Sequence, residues 1–79
     1  MTPHEMLGVL DDAIAAAPRR PRSAIALELH VPGGSLWGVK GKPLGTDERG
    51  PVYGFTRHQC TDMREVILAA ARTDAGVDA

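Results

Sequence analysis

Seventy-nine residues carrying a formal charge of −1 and a single cysteine make one small domain, thinly stable because a chain of this size buries only ~60% of the surface its unfolded form exposes. The near balance of charge argues against a polyanion binder driven by bulk attraction and equally against an acidic mimic of DNA. The lone Cys60 rules out an internal disulfide and suits a reducing cytoplasm, the opening Met1-Thr-Pro-His-Glu5 lacks the basic and apolar regions of a signal peptide, and no apolar run approaches the ~18 residues of a membrane span.

Thr2-Pro3-His4-Glu5 reads as a helix start. Thr2 can cap, proline suits the first helical position, and Glu5 stands three residues after the cap. Met6, Leu7, Leu10, Ala13, Ile14 and Ala17 then recur at helical spacing, with Glu5, Asp11 and Asp12 mostly on the other side. Gly8 weakens this helix, and it leaves room for the close approach of another backbone. Pro18 stops the helix, and Pro18-Arg-Arg-Pro-Arg22 reads as a stiff, extended connector.

Ser23–Val31 shows strict alternation: Ile25, Leu27, Leu29 and Val31 face one way, and Ala24, Ala26, Glu28 and His30 the other. That is a strand with one buried face. After the turn Pro32-Gly33-Gly34-Ser35, residues 36–42 read as a second strand. Setting Val31 opposite Trp37 and Leu29 opposite Val39 keeps lysines off the apolar face and pairs Glu28 with Lys40 on the far side. Residues 43–51 read as a long polar turn, and Val52–Arg57 as a third strand with Tyr53 and Phe55 inward. A final helix begins near Thr61 or Asp62, with Glu65 as the partner of an Asp62 cap and an apolar stripe of Met63, Val66, Ile67, Ala70 and Ala71. Leu68 falls on its polar side, and residues 75–79 read as a loose tail.

The expected fold is therefore a single two-layer α+β domain over residues 1–79. Its order is α-β-β-β-α, with a three-stranded antiparallel meander and both helices on one face. The other face is left open. On it Gly38 and Gly54 fall side by side, flanked by His30 and Lys40, and a strand glycine often marks the close approach of a ligand or another backbone.

No catalytic set is legible. Cys60 lies near a helix start, where the dipole can lower a thiol pKa, but no base or oxyanion site accompanies it. His4, His30 and His58 lack metal-ligand spacing. The glycines at 33, 34, 38 and 41 lack the Lys-Ser/Thr pair and the following helix of a phosphate loop. The reading is a non-enzyme without cofactor or metal. Its candidate partner-binding residues are Arg19, Arg20, Arg22, Lys40 and Arg57, plus the open-face patch of His30, Gly38 and Gly54. The partner is a protein or a ribonucleoprotein, with a homodimer through the open face as a further arrangement. Nucleic acid is the alternative, weakened because no aromatic residue is interleaved with the arginines.

In size and character, the chain resembles the small orphan proteins of phages and mobile elements, the anti-CRISPR proteins among them: it is short, compact, free of a catalytic set, and rich in Ala, Arg, Gly and Asp. The resemblance rests on no shared motif and carries no residue over. It implies a cytoplasmic, stoichiometric inhibitor that binds a CRISPR effector complex and blocks its target-DNA or nuclease step.

Overall fold

The computed structural model describes residues 2–74. Its elements are helix α1 (Pro3–Ala16), strand β1 (Ile25–Leu29), a short 3-10 turn (Pro32–Gly34), strands β2 (Ser35–Leu36), β3 (Val39–Lys40), β4 (Lys42–Asp47) and β5 (Gly50–Thr56), and helix α2 (Arg57–Asp74). The chain is a small α+β fold, with two helices and antiparallel sheets.

The first helix starts where the sequence places it. Thr2 Oγ1 accepts the Glu5 N–H at 3.2 Å, with Pro3 behind it, and satisfies one of the donors orphaned at a helix start. Met6, Leu10 and Ala13 are its buried positions. The close neighbour expected at Gly8 is absent: a Cβ placed there meets nothing within 4 Å. Gly8 therefore brings only its backbone-entropy cost. Gly8→Ala is expected to raise stability by ~0.5–1 kcal/mol, read as a higher urea midpoint with unchanged slope. A lowered midpoint would mean that the helix surface is packed there.

The strand order departs from the expected meander. The main sheet runs β1-β5-β4 and is antiparallel throughout, while β2 and β3 form a separate two-stranded ribbon. The first strand thus pairs with the last one, Leu27 facing Phe55 and Leu29 facing Tyr53. None of the expected pairs between the first strand and residues 36–42 forms. Glu28 lies opposite Gly54, and Lys40 opposite Ser35. The reason is local. Leu36-Trp37-Gly38-Val39 closes on itself as a two-residue hairpin with positive φ at Trp37 (52°) and Gly38 (79°), the combination that tightens a ribbon. Trp37, expected on the buried face, instead sits at that turn and is 36% exposed. A bulky side chain at positive φ is strained. Residues 43–51, expected as a turn, are mostly strand: β4 runs antiparallel to β5 and turns back at Glu48-Arg49.

Two bulges redistribute side chains. The register slips between Ile25 and Leu27 and again between Pro43 and Gly45, so Ala26 and Leu44 are extra residues. A bulge of one residue reverses the facing of everything beyond it. Ile25, expected inward, therefore lies on the outer face beside Thr56. From opposite sides, Ile25 and Leu44 close over Gly54, whose Cβ, if present, would fall 2.8–2.9 Å from their methyl groups.

The core lies on the other face. Phe55, Leu10, Met63, Ile67 and Cys60 are fully buried, with Met6, Ala13 and Val31 around them and Leu27, Leu29 and Tyr53 packed against them. Both helices therefore cover the same side of the sheet, as expected. The β2–β3 ribbon seals one end of this core. Gly34 packs on the Tyr53 ring and Gly41 on Phe55 and Tyr53, and the Gly41 N–H donates to the Gly34 carbonyl at 2.7 Å.

The second helix begins at Arg57, four residues before the expected Thr61. Thr56 and Gln59 form a reciprocal cap. Thr56 Oγ1 accepts the Gln59 N–H at 3.3 Å, and Gln59 Oε1 accepts the Thr56 N–H at 2.9 Å. Gln59 Nε2 donates to the Lys40 carbonyl at 2.8 Å, which ties the ribbon to the helix start. Cys60, Met63 and Ile67 form the buried stripe, while Val66, expected within it, is 44% exposed. The 75–79 tail lies outside the described residues. Among the described residues, no helix is long and apolar enough to cross a membrane.

Candidate functional site: an arginine-lined cleft

The helices run antiparallel. Arg64 Nε donates to Asp11 Oδ1 at 2.6 Å, and Ile14, one turn further along α1, shares a wall with Thr61, one turn back along α2. The end of α1 thus lies beside the start of α2. Pro18 ends the first helix there. The connector is not the extended rod expected of Pro18–Arg22. It folds into a turn closed by the Ala24 N–H on the Pro21 carbonyl at 3.0 Å, with the Arg20–Pro21 peptide in the cis form.

This turn returns Arg19 and Arg22 to the helix junction. A cleft of about 700 Å³ opens between connector and helix, lined by Ile14, Pro18, Arg19, Arg22, Arg57, His58 and Thr61. No carboxylate lines it among the described residues. Among the described residues the carboxylates that meet a basic side chain do so as His30–Asp47, His58–Asp62 and Arg64–Asp11, so Arg19, Arg22 and Arg57 are all without an anionic partner. His58 Nε2 lies 3.6 Å from Asp62, one turn on. The Thr61 hydroxyl donates to the Arg57 carbonyl at 3.1 Å and so presents only its oxygen lone pairs.

The first turn of α2 holds no acidic residue. Arg57 and His58 occupy it instead, at the positive end of an 18-residue helix. The Arg57 guanidinium there opposes the helix dipole, at a cost of roughly 0.3–1 kcal/mol. The arrangement lowers the stability of the empty cleft and favours an anion brought into it.

The residues expected to bind a partner are divided by this geometry. Arg19, Arg22 and Arg57 converge on the cleft, and Arg20 does not line it. Lys40 belongs to the β2–β3 ribbon and Gly38 to its turn. Gly38 and Gly54 are therefore not neighbours, and Gly54 is roofed by Ile25 and Leu44 rather than bare. That removes the ground for close backbone approach, or for a homodimer, at this point of the sheet. His30 shares the outer face but serves as a tie. Its Nε2 meets Asp47 Oδ1 at 2.7 Å, and the same oxygen accepts the Arg49 N–H at 2.8 Å. The His30 hydrogen bond, helped by the Arg49 N–H, holds the Asp47 carboxyl below its ordinary pKa.

His58 and Thr61 also line the cleft, although neither is among the contact residues expected from the sequence. The signal was present: Thr56-Arg57-His58-Gln59 has the spacing of a capping box, which sets Arg57 and His58 in a first helical turn. Cys60 is the reverse case. It does lie near a helix start, but it is buried, and burial pushes its thiol pKa up, away from the thiolate a nucleophile requires. Among the described residues no three His, Cys, Asp or Glu side chains are grouped to hold a metal ion.

A second concavity, of about 320 Å³, lies at the other end of α1 between Thr2, Met6, Leu29, Val31, Leu36 and Trp37. Its walls are mainly apolar, with His30 also among them, and it holds the exposed face of the molecule's one tryptophan. No family model matches the chain, and no curated protein or solved structure compared with it is significantly similar.

Proposed function

We propose that the protein is a non-catalytic binding module, an inhibitor or regulator that docks on a protein or ribonucleoprotein in the cytoplasm through its arginine-lined cleft. The convergence of three unpaired guanidiniums carries this reading: Arg19 and Arg22 from a folded connector and Arg57 from a helix start, around a cleft free of carboxylates. Guanidinium forks left without partners are suited to carboxylate or phosphate recognition, and arginine is enriched among the residues that dominate interfaces. The raised thiol pKa of Cys60 speaks against a cysteine-dependent enzyme.

The named form of this reading is an anti-CRISPR inhibitor, supported by size and character alone. Its test is a plasmid-interference assay in bacteria carrying a panel of CRISPR effectors, run with the parent chain and with Arg19→Ala/Arg22→Ala/Arg57→Ala. Interference lifted by the parent and restored in the triple variant is the expected result, with the parent co-eluting with the purified effector. Interference untouched across the panel would end the anti-CRISPR form. Equal inhibition by the triple variant would remove the cleft from the docking surface.

A further inference from the structure

We infer that the occupant of the cleft is a short acidic segment of a partner protein, with carboxylates on Arg19, Arg22 and Arg57 and an aliphatic side chain on Ile14 and Pro18. This inference rests on the reading of the cleft as a docking face. Charge complementarity supplies the first argument. Among the described residues the three guanidiniums have no anionic partner, and the first turn of α2 carries Arg57 where helices ordinarily carry carboxylates. An incoming carboxylate therefore meets two favourable fields, the arginines and the helix end, without displacing an internal partner. Carboxylate–guanidinium pairing is bidentate and directional, so three converging arginines can supply specificity as well as attraction.

The second argument separates a protein segment from a nucleic acid. A duplex carries one charge per ~1.7 Å along its whole length, and a strand running out of this cleft would pass acidic surface. Asp11 and Asp12 are exposed on α1, and Asp62 lies on α2 one turn beyond His58. The formal charge of the chain is −1, so nothing draws a polyanion in from a distance. No Phe, Tyr or Trp lines the cleft, and its one aromatic ring, the His58 imidazole, is a small stacking platform beside Asp62. Trp37 lines a groove with Met6, whereas the cleft is walled by Ile14. Those two residues stand eight positions, or ~12 Å, apart along α1. Beside its arginines the cleft has the aliphatic Ile14 and the saturated pyrrolidine of Pro18. A segment alternating acidic and branched aliphatic residues meets both the charge and the apolar wall.

The test is a titration of the isotope-labelled full chain, followed by backbone amide shifts at physiological salt. The probes are a blocked Glu-Glu-Leu-Glu-Glu peptide, inorganic phosphate and a short random duplex. The peptide is expected to saturate, with its shifts confined to the residues around Arg19, Arg22, Arg57, His58 and Thr61. Its dissociation constant should rise about tenfold or more in Arg22→Ala/Arg57→Ala, whose otherwise unchanged spectrum reports an intact fold. Replacing the leucine of the peptide by serine should also weaken it. Tighter saturation of the same amides by the duplex or by phosphate overturns the acidic segment as occupant and leaves the docking face standing. Peptide shifts that do not saturate, or that centre elsewhere, overturn it as well. The docking face itself falls only if the triple arginine variant inhibits as well as the parent.

Discussion

Phe55→Ala is expected to leave the chain largely unfolded at physiological temperature. Phe55 is fully buried on the central strand, opposite Leu27 and against Gly41, with Leu10, Met63 and Ile67 completing the cluster. Truncating a buried phenylalanine costs ~3–5 kcal/mol. At ~0.05–0.15 kcal/mol per residue a chain of 79 residues has roughly 4–12 kcal/mol in all, and small domains fall toward the low end. Most of the stability is therefore removed by one substitution. Val66→Ala is the matched control, because Val66 is 44% exposed and should shift stability by no more than ~0.5 kcal/mol. Urea unfolding followed by circular dichroism checks both. A cooperative transition for Phe55→Ala at the parent midpoint would mean that the core is centred elsewhere.

Gly41→Ala is expected to cost ~1–3 kcal/mol through overpacking. A methyl group there would fall 2.9 Å from the Tyr53 Cβ and the Phe55 Cζ. Neither can retreat, since one is fixed by the backbone and the other is the edge of a buried ring. Gly54→Ala should lose less. Its intruding methyl meets Leu44, which is 40% exposed and free to swing outward, although Ile25 cannot follow as readily. The sign at Gly54 is informative. On a bare outer face, the added methyl would help the strand. Loss of stability there supports the two bulges that close Ile25 and Leu44 over it, and a gain would refute them.

The helices and the composition of the core were legible because amphipathic spacing is a local property. Met6, Leu10 and Ala13, and later Met63 and Ile67, are buried where the 3.6-residue period puts them. The pairing of the strands was not legible. Leu27 and Leu29 present the same apolar pattern to any partner, and periodicity does not say whether residues 36–42 or 50–56 supply it. The choice falls to the Trp37-Gly38 turn, which withdraws residues 35–40 into their own ribbon. Nor was β4 legible, since all six of its residues are exposed and no alternation marks it. Arg19, Arg22 and Arg57 could be chosen as cationic candidates from the sequence. Their convergence depends on the antiparallel helix pair and on the folded connector, neither of which leaves a mark on charge spacing. Arg20 and Lys40 meet the same charge criterion and lie elsewhere for that reason, while Gly38, a candidate only through the expected register beside Gly54, sits in the ribbon turn.

The pairing of β1 with the last strand also sets an order of events during synthesis. β1 ends at Leu29, and its neighbour in the sheet begins only at Gly50. While the ribosome adds the intervening residues, the leucines of β1 and the greasy side of α1 have only each other and lack the cover that β5 and α2 later supply. Such long-range closure slows folding relative to a string of adjacent hairpins. A nascent chain stalled before Thr56 would thus expose these surfaces to chaperones, and one extended through α2 would hide them.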